Sequence, residues 1–220
     1  QTIKGGQRLK GIHYEMPIAS AQVKSCVLLA GMFAEGRTSI SEPATTRDHT
    51  ERMLRGFGYE VECENDVISL QGGGALKATW LDIPADISSA AFFLVASSIA
   101  EGSDLTLEHV GMNPTRAGVI TILTLMGADI EVLNEREVGG EPVADLRVRS
   151  ALLTGIEIPE DLVPLAIDEF PVLFIAAACA SGKTVLSGAG ELRVKESDRI
   201  ASMAEGLTRL GIENDVREDG

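Results

Sequence analysis

The chain has 220 residues, a formal net charge of −14, 45% hydrophobic residues and only 4% aromatics. That length allows one large or two small domains, with a core of Ala, Leu, Ile and Val packed closely on small residues. The acidic balance argues against nucleic acid or an anionic membrane surface as a bulk partner, although a local cluster of Arg and Lys can still bind small anions.

The start, QTIKGGQRLKG, lacks Met and reads as mid-strand; with the closing VREDG it suggests a piece cut from a longer chain. A first apolar helical run around Val27-Leu28-Leu29-Ala30 stops at Ala34-Glu35-Gly36, and Thr38-Ser39-Ile40 reads as a short β-branched strand. The amphipathic stretch His49–Arg55 leads to Gly58 and a strand, Gly58–Glu62. Gln71-Gly72-Gly73-Gly74 is a hairpin or loop signal, and the stretch to Pro84 reads as an interdomain crossover.

The same order then recurs. Ala90–Ala96 is apolar, Ala100-Glu101-Gly102 is a stop, Leu105-Thr106-Leu107 is a strand, and Gly127–Val132 follows a second helix. Glu135–Glu141, with Gly139-Gly140, reads as an exposed turn. A third copy has Val172–Ala178, the stop Ala180-Ser181-Gly182, strand Thr184-Val185-Leu186, helix Ser202–Leu210 and Gly211-Ile212-Glu213.

Three segments thus share one layout: Ala19–Glu62, Asp86–Val132 and Ala166–Asp215. A period of roughly 65 to 80 residues is too long for an ordinary solenoid and suits a duplicated supersecondary unit. The first helix of each copy is apolar nearly all round, which predicts buried helices with sheets outside them. The glycines after the second helices predict left-handed helix caps.

Cys26, Cys63 and Cys179 form no CxxC and read as buried or incidental thiols of a reducing, cytoplasmic setting. The histidines (His13, His49, His109) are scattered, so no metal site is expected. The longest apolar stretch, Phe170–Ala180, contains Pro171 and is too short to span a bilayer. No signal peptide is recognisable.

Four polar groups could carry chemistry. Ser20-Ala21-Gln22 opens a buried helix, either as a cap or as an anion site. Lys24, one turn in, adds a positive charge or marks a solvated edge. In the second group, Asp48 and Glu51 resemble a capping box. Arg47 there opposes the helix macrodipole, so it calls for a carboxylate or a ligand phosphate; Arg116 repeats it. In Glu191–Arg199, Lys195 and Arg199 stand at i, i+4. They form either a salt-bridged helix start or paired cations for an anion. Asp168 occupies the helix-start place of Ser20 and Asp86, as a cap or as a general base.

The strings ASAQVKS, TRDHTERML, DISSAAFF, NPTR, IDEFPVL and ELRVKESDRI together resemble the 3-phosphoshikimate 1-carboxyvinyltransferase (5-enolpyruvylshikimate-3-phosphate synthase) family, from about Leu9 to Gly220. The resemblance implies an inside-out α/β barrel (α+β) of repeated βαβαββ units, helices buried and sheets outside, incomplete here. Residues 1–79 would be the remaining part of an N-terminal domain and 80–220 part of a C-terminal one. It implies the shikimate-pathway transferase reaction leading to chorismate and aromatic amino acids. The enolpyruvyl group of phosphoenolpyruvate moves to the 5-hydroxyl of shikimate 3-phosphate and phosphate leaves, with no metal or organic cofactor.

By the same resemblance Ser20, Ala21, Gln22 and Arg47 would contact shikimate 3-phosphate, and Gln22 would also approach phosphoenolpyruvate. Asp168 would be the base on the 5-hydroxyl, with Lys195 near it. Glu196 would handle the methylene proton, and Arg199 would clamp phosphoenolpyruvate. The family's N-terminal Lys-Ser element, Gly-rich loop and late Asp-His-Arg and Lys elements do not occur here. This chain alone is therefore expected not to turn over. It is expected to leave apolar helix faces that favour self-association, the full-length protein being a monomer. The competing readings are a UDP-N-acetylglucosamine enolpyruvyl transferase, disfavoured by Cys26 and Cys179 lying inside apolar helices, and a non-catalytic binding scaffold on the same fold.

Overall fold

The computed structural model describes residues 2–220. The chain divides into two compact units. One comprises the residues up to Ile83 with Val138–Glu141; the other comprises Pro84–Glu137 and Pro142–Gly220.

The first unit carries β1 (His13–Glu15), α1 (Ala21–Gly31), β2 (Arg37–Ser41), α2 (His49–Gly56), β3 (Glu62–Glu64) and β4 (Val67–Gln71). Its sheet has the order β1-β2-β4-β3. β1 lies parallel to β2, as a crossover through α1 requires, and the other pairings are antiparallel. Alternation along β2 turns Thr38 and Ile40 inward. α1 packs on that face so closely that a Cβ on Gly31 would fall 2.8 Å from the Thr38 side chain. Leu28, Ile40, Leu54, Ile68 and Leu70 fill the core between helices and sheet.

The second unit carries α3 (Ile87–Ile99), β5 (Asp104–Gly111), α4 (Gly118–Leu125), β6 (Asp129–Val138) and β7 (Glu141–Arg149) apart from the end residues Val138 and Glu141, α5 (Phe170–Cys179) and α6 (Arg199–Arg209). Its sheet runs β5-β7-β6. Along β7, Ala144, Leu146 and Val148 face inward. Arg147 and Arg149 face outward and pair with Asp104 and Asp129. Leu94 of α3, Ile122 and Leu123 of α4, and Phe170 of α5 are fully buried behind the sheet. The α/β class with helices inside and sheets outside is therefore as expected.

The repeat is written in the backbone. Gly36, Gly102 and Gly182, after the three first helices, have φ of 95°, 77° and 92°. Gly58, Gly127 and Gly211, after the three second helices, have φ of 76°, 93° and 79°. In each copy the chain before the first helix runs parallel to the chain after it. This is a full ladder for β1 and β2 but only isolated bridges elsewhere, Ala85 with Val110, Thr154 with Ser181 and Glu157 with Val185.

Several expectations need correction. Thr184–Leu186 forms one such bridge and not a strand, and Gly211–Glu213 is irregular, because no neighbouring strand among the described residues pairs with either. Of the expected Gly58–Glu62 strand only Glu62 enters β3. The turn expected over Glu135–Glu141 shrinks to Gly139-Gly140, both with positive φ as a two-residue hairpin turn demands, while β6 continues to Val138. Two of the first helices, α1 and α3, are covered on one face only, whereas α5 is exposed only at Cys179. Phe33, just past α1, is 80% exposed, and Phe92 and Phe93 of α3 are 62% and 57% exposed. All three cysteines are free and exposed, not buried. Among the described residues, no helix is long and apolar enough to cross a membrane.

Candidate functional site

In the first unit, Ser20 is the N-cap of α1, and its Oγ accepts the Val23 N–H at 3.4 Å. The Ser20 hydroxyl also lies 3.3 Å from Gln22 Oε1. Ala21 is half-buried and Gln22 exposed at the mouth of the helix. Arg47 is half-buried in the loop before α2.

The neighbouring charges are arranged differently from the expectation. Asp48 is the N-cap of α2 but makes no side-chain cap bond; its carboxylate accepts from Arg52 Nε at 2.9 Å. Glu51 does not close a capping box either, because it is drawn into the core. Lys24, read as a possible solvated edge, is 1% exposed, and its Nζ lies 2.9 Å from Glu51 Oε1 and 3.3 Å from Glu42 Oε1. An ammonium taken out of water needs such partners, and here it has two carboxylates and the Thr46 carbonyl at 3.2 Å.

In the second unit, Asp168 sits in the turn before α5. The N-cap is Glu169, which makes no side-chain cap bond, so Asp168 is not the cap the alignment with Ser20 suggested. Pro171 sets the first turn of the helix. Asp168 Oδ1 is 3.1 Å from Arg199 Nη1 and 4.0 Å from Lys195 Nζ. Arg199 Nη2 donates to Glu196 Oε2 at 2.6 Å, and Lys195 also pairs with Glu191. Lys195 and Arg199 are thus brought together, though not as two residues of one helical turn. α6 begins at Arg199, capped by Asp198 accepting the Ala201 N–H at 2.9 Å, and Lys195 lies in the bend before it.

Electrostatics follow this geometry. Its own backbone N–H, and then Arg199, hold the Glu196 carboxyl below its ordinary range. Partial burial of Arg199 opposes its charge, but its bonds to Glu196 and Asp168 prevail and raise its pKa. The result is a carboxylate bracketed by two cations and partly open to solvent, with a further exposed carboxylate on each cation, Glu191 on Lys195 and Glu196 on Arg199. Such a group can clamp an anion and exchange a proton beside it.

The family model of EPSP synthase (3-phosphoshikimate 1-carboxyvinyltransferase) matches residues 1–220. The chain belongs to the EPSP synthase family. It is 71% identical to the 3-phosphoshikimate 1-carboxyvinyltransferase of Alkalilimnicola ehrlichii, over 100% of this chain and 49% of that protein. It is 67% identical to that of Methylococcus capsulatus, over 99% and 50%. The EPSP synthase structure from Acinetobacter baumannii superposes with a TM-score of 0.91 at 64% identity, over 98% of this chain and 49% of that one. The chain therefore spans about half the length of the EPSP synthase relatives it matches.

Within this EPSP synthase fold, every copy of the repeat ties the start of its first helix to the start of its second by one ion pair. These are Lys24 with Glu51, Asp86 with Arg116 at 3.1 Å, and Asp168 with Arg199. The Arg116 partner is thus a carboxylate. Arg116 also donates to Ser88, which in turn donates to the buried Glu169. The pair alone is a scaffold feature. What sets the third copy apart is the addition of Lys195 and Glu196. The sequence singles out neither Glu42 nor Ser88, and it offers Glu169 only as a second acid beside Asp168, with no role of its own. A lone Lys24 on an apolar helix was a signal that a buried acid must face it.

Proposed function

We propose that the chain contributes to the transfer of the enolpyruvyl group of phosphoenolpyruvate to the 5-hydroxyl of shikimate 3-phosphate. The observation that carries this reading is the convergence of Lys195 and Arg199 on Asp168, with Glu196 on Arg199. Asp168 takes the 5-hydroxyl proton as that oxygen bonds to C2 of phosphoenolpyruvate, while the C2–C3 π electrons take up a proton at C3 delivered from solvent by way of the exposed Glu196. The tetrahedral adduct then loses phosphate from C2 and a proton from the new methyl. Glu196, held in the ionised form, suits that second proton removal. Lys195 and Arg199 offset the negative charge of the substrates. Ser20, Gln22 and the backbone of Ala21 present donors to shikimate 3-phosphate, and Arg47 holds its phosphate or neighbouring oxygens.

The non-catalytic scaffold reading has no observation in its favour beyond the ion pair common to all three copies. The test is calorimetric titration of shikimate 3-phosphate into this chain beside its Arg47→Ala variant. Saturable binding that the variant loses is the expected result. Equal binding by both would remove Arg47 from the site. No binding by a folded sample would refute the reading for this chain.

A further inference from the structure

The ion pair between helix starts is half-open in the second and third copies, where the Arg116 and Asp86 side chains are 19% and 47% exposed and those of Arg199 and Asp168 23% and 27%. In the first copy it is sealed, with Lys24 at 1% and Glu51 at 2%. A third charge is added there, Glu42 at 8%. Exchanging a buried ion pair for apolar side chains is often neutral or stabilising, so bulk stability does not explain a sealed three-charge group. Its contacts point elsewhere.

Glu42 does more than neutralise Lys24. Its Oε1 accepts the Thr46 backbone N–H at 3.2 Å and its Oε2 accepts the Thr46 hydroxyl at 2.6 Å. Lys24 Nζ meanwhile donates to the Thr46 carbonyl at 3.2 Å. Both faces of one peptide segment, N–H and C=O, are therefore gripped from inside the core. The next residue is Arg47. The loop contains Pro43 and no regular structure, so backbone pairing does little to order it. Three charge-assisted bonds converge on the residue before the arginine.

We propose that Lys24 and Glu42 are positioning residues. They form a buried clamp that fixes the 42–47 loop in the conformation from which Arg47 engages the phosphate of a phosphorylated hydroxy-acid substrate. This rests on the reading of Arg47 as an anion-binding residue given above. The clamp pre-orders the loop, so a ligand need not supply that ordering on binding. Ser25 Oγ, 2.7 Å from Thr50 Oγ1, ties α1 a second time to α2, the helix that follows the loop.

The test compares the wild-type chain with Glu42→Ala and Glu42→Gln. Alanine removes the grip on Thr46 yet leaves Lys24 its Glu51 partner, so the unit stays neutral inside and folded. Glutamine keeps an acceptor for the Thr46 N–H and for Lys24, and offers the Thr46 hydroxyl an N–H. Amide exchange read by NMR should show the Thr46 N–H exchanging at least about 30-fold faster in Glu42→Ala. Amides of α1 and β2 should be unchanged, and glutamine should restore most of the protection. Shikimate 3-phosphate should bind Glu42→Ala about tenfold more weakly, equivalent to about 1.4 kcal/mol, with recovery in Glu42→Gln.

Unchanged Thr46 exchange in Glu42→Ala overturns the clamp whatever the ligand does. A freed loop with unchanged affinity overturns the positioning role. Absence of binding by the wild-type chain overturns the ligand reading of Arg47, whereas the exchange comparison decides the clamp by itself.

Discussion

Replacing Lys24 by Met tests the sealed charge group in the first unit most severely. Met fills the channel of the lysine stem but supplies no charge, leaving Glu51 and Glu42 facing each other inside the core. Glu51 Oε1 loses its 2.9 Å partner, and Glu51 Oε2 has no hydrogen bond in the intact protein, so the whole carboxylate would be bare. Removing one partner of a buried pair destabilises by about 3–5 kcal/mol. That is roughly two to three and a half powers of ten in the opening equilibrium of the unit. The chain has two units, so one global melt does not isolate the effect. Native-state amide exchange at Leu28 and Ile40, both fully buried, reports on the first unit alone. The double variant Lys24→Met, Glu51→Gln should recover more than half of the loss, because the remaining Glu42 keeps its Thr46 partners. A loss below about 1 kcal/mol, or a double variant no better than the single one, would refute the account of Lys24 as the charge that makes two buried acids tolerable.

Other outcomes follow from the same structure. Phe170 is fully buried and its ring centroid lies 6.1 Å from that of Phe174, so Phe170→Ala should cost the second unit about 3–5 kcal/mol, read by native-state amide exchange at the fully buried Leu94 and Ile122. Gly127 has φ of 93°, so Gly127→Ala should destabilise by about 1 kcal/mol or more, whereas alanine at Gly206, inside α6 with open space around its Cα, should stabilise slightly. Acid should weaken the second unit modestly, because the pairs concerned lie at the surface. The Arg147 bond holds Asp104 below the ordinary carboxylate range, Arg149 does so for Asp129, and the His109 and Ala201 backbone N–H groups do so for Asp145 and Asp198. These groups bind fewer protons folded than unfolded, so their contribution is complete above the ordinary carboxylate range and is lost as pH falls through and below it. A thermal-melt series from pH 6 to pH 2.5 should be flat above about pH 5 and fall below about pH 4. A midpoint independent of pH over that span would contradict the pairing.

Much of this protein is legible in local sequence. The glycines at 36, 102, 182, 58, 127 and 211 read as stops because left-handed backbone is a local demand that glycine alone meets without strain. The apolar runs of α1, α3 and α5 read as helices, and motifs such as ELRVKESDRI and IDEFPVL suffice to place the family. The site was legible by residue type but not by partner. Lys195 and Arg199 stand four apart in sequence, which suggested one helical face, yet they meet at Asp168 only because a bend precedes α6 and the α5 turn comes alongside it. Glu51 looked like half of a capping box. A capping box is worth about 1 kcal/mol, and the buried ammonium of Lys24 was a far stronger claim on that carboxylate. Asp168 looked like a cap because its copies at Ser20 and Asp86 are caps, but Pro171 moves the helix start onward to Glu169. Sequence by itself therefore determined the elements, their punctuation and the chemical types at the site, because those depend on each residue's own backbone preference and its near neighbours. The tertiary structure alone decided which carboxylate each cation meets and which helix faces stay open, because both depend on distances between segments far apart along the chain.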